Sequence, residues 1–325
     1  MNILDPATEK DVSTFLDHAW SLQNQAETFG GISFSDTRNS VASVCGAYLD
    51  SHGYKGYNLK PGLKVQGEDV TVLFLNQALE YFQKSLYNYF VQYLLARRGL
   101  STWAAITNYY SSFFSIHALL CLQARTITRI TLHESIIPCQ VLATNLLAHE
   151  YVISTKGLKS AGQAHTAAWK RYYDVYDKYN YPVNEFESIY RKVSCPEPLD
   201  ESQNRNRLNY APFQGFGEMV DQEQMEEFKS SYLSAITNAI LGRPIGVYLE
   251  TLKELVTDPV FQYFARVALR LLFIADIFKR LALISDTIRA VWADKLLQWH
   301  RFSLVSFSDP PQNFLEDLPQ LLGQA

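Results

Sequence analysis

The stretch Leu94-Leu-Ala-Arg-Arg-Gly-Leu-Ser-Thr-Trp103 joins two long segments of periodic hydrophobicity, and its reading decides the fold. Arg97 and Arg98 stand where the last turn of a helix leaves carbonyls exposed. Gly99 follows as the residue that adopts a left-handed conformation without a steric penalty. Ser101 is placed to be the N-cap of a second helix, Thr102 to about Gln123. Upstream, from about Val70, residues Leu75, Leu79, Phe82, Leu86, Phe90 and Tyr93 recur at steps of three and four and mark one apolar stripe. Downstream the stripe is Ile106, Tyr110, Phe113, His117 and Leu120. Two antiparallel helices joined by a short turn are the expected result.

Working outward from this hairpin, the pattern changes at Thr126. Thr, Ile and Val become dense in Thr126-Ile-Thr-Arg-Ile-Thr131 and again in Tyr151-Val-Ile-Ser-Thr155, which predicts a small β insertion over about 126–155. A further amphipathic helix is expected from about Gly162 to Tyr179, and another begins near Asp200. Past Gln214 the chain returns to helix. Asp221 and Gln224 have the spacing of a capping box, and Asp258 precedes Pro259 as N-cap and first helical residue. Toward the N-terminus, Val12–Ala26 reads as helix, and a Gly-rich polar middle ends in Asn58-Leu-Lys-Pro-Gly62. The sequence assigns no fold to 1–68. The organisation is therefore an N-terminal extension at 1–68, a central domain at 69–215 and a C-terminal helical region at 216–325.

Composition narrows the function classes. The 325 residues are 47% apolar and 19% charged, with a formal net charge of −4, so no global basicity points to nucleic acid and any such site must be local. The four cysteines, Cys45, Cys121, Cys139 and Cys195, lack the spacing of a disulfide framework or a zinc site and read as packed thiols. Met1–Val12 carries Asp5, Glu9, Lys10 and Asp11 and has no apolar core of a signal peptide, which predicts a cytoplasmic protein. The most apolar stretch, Pro259–Ile284, is interrupted by Arg266, Arg270, Asp276, Lys279 and Arg280 and reads as a buried helix of a soluble protein rather than a membrane span. No phosphate-binding loop, nucleophile elbow or metal-binding histidine motif is present in the sequence. No cofactor and no metal are expected. Of the seven histidines, His52, His133 and His300 read as surface or packing residues.

Three segments form an ordered constellation. Tyr109-Tyr-Ser-Ser-Phe-Phe-Ser-Ile-His-Ala-Leu-Leu120 resembles the second helix of small prokaryotic HEPN-domain proteins, which carries a tyrosine pair, a phenylalanine and Ala-Leu-Leu. His165-Thr-Ala-Ala-Trp-Lys-Arg-Tyr172 resembles the helix that opens with His in one HEPN branch. Arg205-Asn-Arg-Leu-Asn-Tyr210 stands where that branch has an Arg followed by an Asn- or Asp-Tyr pair. The resemblance covers about Val70–Gln214. It implies a mainly α fold, a HEPN-like four-helix bundle with a small β insertion and helical extensions at both ends. It also implies a toxin–antitoxin or antiphage-defence setting, RNA as ligand, and a homodimer or a hetero-complex with a nucleotidyltransferase or other defence protein.

In HEPN ribonucleases the Arg orients the scissile phosphate and a His four to six residues on moves a proton. Here Arg205 and Asn206 match, but Tyr210 replaces the His. A tyrosine, with an ordinary pKa of about 10, stays protonated at neutral pH and is a poor general base. His117 or His165 is the alternative imidazole. The resemblance thus implies Arg205, Asn206, Tyr210, His165 and His117 as the catalytic set, in a metal-independent ribonuclease with an altered Arg-x4-Tyr motif. The structural alternatives are a core histidine at 117, a helix-start residue at 165, and an Arg205 paired with Asp200 or Glu201 beside a packed Tyr210.

Lys170, Arg171, Tyr172 and Arg207 are the candidate RNA contacts, since interleaved aromatics and cations stack bases and hold phosphates. Nine basic residues against seven acidic ones over 151–207 give a net of only +2, which favours a core-and-surface explanation of that pattern. A second functional class stays open, that of a non-catalytic helical subunit that binds a partner protein.

Overall fold

The computed structural model describes residues 1–7, 25, 28–29, 39–60, 62–156, 158, 163–176, 200–210 and 262–306. Among them the chain is mostly helical with one antiparallel sheet. It divides into two compact units. The first takes the described residues up to Phe82 and from Ile116 through Tyr176; the second takes Gln83–Ser115 and those from Asp200 onward.

The first unit is organised on five strands: β1 (Asn2–Ala7), β2 (Gly62–Gln66), β3 (Arg125–Leu132), β4 (Ser135–Asn145) and β5 (Glu150–Ser154). Their order is β1-β2-β5-β4-β3, and all pairings are antiparallel. The strands expected at 126–155 are therefore present, but they do not form a separate insertion. Leu63 pairs with Ile153 and Val65 with Tyr151, so the sheet is completed by the stretch to which the sequence assigned no fold. Among its described residues, that stretch contributes two strands as well as the helix α1 (Val41–Ser51).

Ser40 caps α1 through a box in which the Ser40 hydroxyl accepts from the Ser43 N–H and the Ser43 hydroxyl accepts from the Ser40 N–H. The helix lies on β3, and Gly46 faces Ile130 and Thr131 of that strand. A Cβ there would stand 3.2 Å from the Thr131 carbonyl oxygen. Burial covers both faces of the central strands, as the uninterrupted buried runs 139–143 in β4 and 151–154 in β5 show.

The hairpin predicted around Gly99 is present as α2 (Glu68–Arg97) and α3 (Ser101–Leu122). Gly99 has a φ of 78°, and the Leu100 N–H reaches back to the Leu95 carbonyl at 2.9 Å, closing the end of α2. One detail differs. Ser101 is the first helical residue rather than the cap, because the Leu100 carbonyl accepts the first intrahelical bond from the Ala104 N–H, at 2.9 Å. Residues 68–82 and 116–122 of these helices belong to the first unit, together with α4 (Gln163–Tyr176), which packs on β3. The Tyr176 hydroxyl donates to the Leu119 carbonyl at 2.8 Å.

The second unit holds the remainder of the hairpin, α5 (Asp200–Tyr210), α6 (Gln262–Ile284) and α7 (Asp286–Ser306). Helices α6 and α7 pack on each other, with Phe278 stacked on Trp292 at 5.1 Å between ring centroids. Among the described residues no helix is long and apolar enough to cross a membrane. The expected helix at Val12–Ala26, the capping box at Asp221 and Gln224, the Asp258-Pro259 start, Cys195 and His300 as a side chain lie outside the described residues, apart from the helical assignment at Gln25.

Candidate functional site

The second unit gathers charge where three helices meet. Helix α5 opens with Asp200 and Glu201, acids that suit the positive end of a helix dipole. Each is held by an arginine of α6. The Arg266 guanidinium donates to Asp200 at 2.7 Å, and the Tyr263 hydroxyl donates to the same carboxylate at 3.3 Å. Arg270 donates to Glu201 at 2.6 Å and to the Ser112 hydroxyl of α3 at 2.5 Å, while that hydroxyl donates to the other oxygen of Glu201. Arg270 and Glu201 are buried at 1% and 6% side-chain exposure, so this pair sits out of water and depends on its closed ring of bonds.

One turn further along α5, Arg205 is half-buried. Its guanidinium donates to the Tyr110 hydroxyl and to the Asn206 amide oxygen, each at 3.0 Å, and lies 5.7 and 5.8 Å from the ring centroids of Tyr109 and Tyr110. Asp200 and Glu201, the carboxylates that sequence reading offered as partners of Arg205, are engaged by Arg266 and Arg270. Asn206 and Arg207 are exposed. Tyr210 ends the helix, and its side chain lies outside the described residues.

The two candidate imidazoles belong to the first unit. His117 is buried beside the Tyr81 ring, 5.0 Å between centroids, and its pKa is pushed down to about 4 by loss of water and secondarily by His165. At neutral pH it is an uncharged core residue. This corrects its assignment to the catalytic set and agrees with the core alternative. His165 is exposed in the first turn of α4, as a helix-start residue would be.

Among the expected RNA contacts, Tyr172 is also corrected. It is 1% exposed and packs on Tyr176 and Trp169, so its ring is core and offers no face to a base. Arg171 donates to Gln140 at 3.3 Å and approaches Asp174 at 3.9 Å, tying α4 to the sheet. Lys170 is exposed. His133, read as a surface or packing residue, is exposed, and its Nδ1 lies 3.1 Å from an Asp50 carboxylate oxygen.

Sequence reading missed Arg266 and Arg270 as site residues because they entered it only as obstacles to membrane insertion. The available signal was two arginines four apart in the apolar run Phe264–Ile274, which puts both on one buried face and demands acids opposite. The described cysteines Cys45, Cys121 and Cys139 are buried free thiols, and burial raises the pKa of each, that of Cys45 to about 12. Among the described residues no group of three or more His, Cys, Asp or Glu could hold a metal ion. Comparison of the chain with family models, with curated proteins and with solved structures finds no match.

Proposed function

We propose that this chain is a HEPN-like, RNA-directed protein of a bacterial toxin–antitoxin or antiphage defence system, in which Arg205 takes an RNA phosphate. The observation that carries this reading is the setting of Arg205. The Tyr110 hydroxyl and the Asn206 amide oxygen are among the groups that orient its planar fork, which lies against two tyrosine rings beside the exposed Asn206 and Arg207. A fork oriented in this way matches the paired oxygens of a phosphate better than a lysine would. In the catalytic form of the reading, Arg205 and Asn206 orient the phosphate for attack by the RNA 2′-hydroxyl, and Tyr210 contributes hydrogen bonding.

The state of His117 favours a second reading, a non-catalytic subunit that uses its helices to bind a partner protein such as a nucleotidyltransferase. An imidazole kept neutral and buried cannot take a proton from an RNA hydroxyl in solvent. The two readings separate in one experiment on the full chain, with single-stranded and structured RNA in the presence of a chelator and an Arg205→Ala variant alongside. The first predicts RNA binding that weakens in the variant and, in its catalytic form, cleavage that disappears. RNA left unbound and intact by a folded wild-type protein rejects the first reading and favours the second.

A further inference from the structure

We propose that the buried cluster of Ser112, Glu201 and Arg270 is a positioning device that sets Arg205 against Tyr109 and Tyr110. The proposal rests on the reading of Arg205 as the phosphate contact, and the test below can fail for either one separately. The geometry lies in the register of two helices. Glu201 and Arg205 are four residues apart on α5, and therefore share a face. Ser112 stands two and three residues from Tyr110 and Tyr109 on α3. Glu201 bonds Ser112 while Arg205 meets Tyr109 and Tyr110, so moving one turn forward on α5 moves most of a turn back on α3.

The inner contact fixes the outer one. A helix displaced by one residue moves about 1.5 Å along its axis and turns its side chains by about 100°, enough to carry the Arg205 fork away from the Tyr110 hydroxyl. Arg270 locks the inner contact from a third helix, since its two terminal nitrogens bond Ser112 and Glu201 separately and hold both partners in one plane. Arg266 repeats the connection one turn earlier on α6 by holding Asp200, the first residue of α5. Glu201 is almost sealed from solvent and is thus placed to orient Arg205 rather than to touch a ligand.

The test uses the full chain, a fluorescent single-stranded RNA of mixed sequence, and 15N spectra of the arginine side chains. The Arg205 signal is assigned by its loss in Arg205→Ala, and Tyr110→Phe calibrates the change that follows when its hydroxyl partner is removed. Glu201→Gln keeps the shape and removes the charge; Ser112→Ala, which retains the Glu201–Arg270 pair, replaces it if that variant fails to fold.

Arg205→Ala is expected to weaken RNA binding about tenfold, the size of a lost charge-assisted contact. Glu201→Gln should weaken it to a similar extent, add nothing in the Arg205→Ala background, and shift the Arg205 signal as Tyr110→Phe does. Weakening by Arg205→Ala alone, with Glu201→Gln folded and binding like wild type, overturns the positioning role and leaves the RNA reading standing. An Arg205→Ala variant that binds RNA normally rejects the RNA reading. The spectrum then decides the positioning role by itself, which an unmoved Arg205 signal in folded Glu201→Gln overturns and a shifted one upholds.

Discussion

The two halves of helix α3 are built on opposite chemistries. From Ile116 to Leu122 its buried residues are apolar apart from His117, and they belong to the first unit with the sheet. From Asn108 to Ser115, in the second unit, Asn108, Ser111, Ser112 and Ser115 are all buried. Ser111 and Ser85 exchange bonds, each hydroxyl donating to the other's carbonyl at 2.7 Å, and Ser115 donates to the Ser112 carbonyl at 2.7 Å. Ser112 joins Glu201 and Arg270. The apolar half is held by removal of area from water, which asks little of geometry; the polar half depends on the directed bonds of Ser111, Ser112 and Ser115. Charge can therefore be kept in the second unit, whereas the first drives its one titratable group on this helix segment besides Cys121, His117, to the neutral form.

Removing one member of the buried ion pair should reveal this contrast most strongly. Arg270→Ala strands the Glu201 carboxylate and is expected to cost about 3–5 kcal/mol in urea unfolding. Arg270→Met combined with Glu201→Leu should recover most of that loss, because it removes both charges and fills the space. A double variant as unstable as the single would show that the cluster is not an independent polar core.

Acid tests the other half of α3. The folded pKa of His117, about 4, lies below the ordinary value near 6.5, so as pH falls through 6.5 the unfolded chain takes up a proton that the folded one refuses. Its contribution to stability is complete above pH 6.5 and declines by about 3 kcal/mol between pH 6.5 and 4. The unfolding free energy of His117→Gln across that interval should be correspondingly flatter. An equal slope in variant and wild type would contradict a buried neutral imidazole.

The reciprocal serines sharpen the comparison on a smaller scale. Ser85→Ala or Ser111→Ala should each cost about 1–2 kcal/mol, and the double variant less than the sum, since both changes act on one pair. The smallest effect should come from the surface of the first unit. His133→Ala removes a side-chain contact with Asp50 in which both partners are nearly half exposed, and its expected cost is under about 1 kcal/mol by thermal unfolding.

The hairpin of α2 and α3 was legible because its punctuation is local: a periodic stripe, two arginines, and a glycine that takes the positive φ. The turn between β3 and β4 was not legible in the same way. Its two central residues, His133 and Glu134, adopt φ of 46° and 64°, a conformation that usually signals itself through Asn or Gly. They are supported from a distance by Asp50, which accepts from the His133 backbone N–H at 2.8 Å. In the candidate site, Arg205, Asn206 and Tyr210 were picked out by their order in the chain. That order says nothing of what surrounds a guanidinium.

Local rules and composition determined the helices from residue 68 onward, the strands within 126–155, and the packed thiols at 45, 121 and 139. They did so because periodicity and turn chemistry act over a few residues. Only the tertiary structure decided that residues 2–7 and 62–66 complete the sheet, that Tyr172 and His117 are core, and that Arg266 and Arg270 take the acids once offered to Arg205. Each of these outcomes is a choice among partners more than fifty residues apart or a matter of which face is covered. Such choices are made by the desolvation and pairing of whole surfaces, and no window of neighbouring residues contains them.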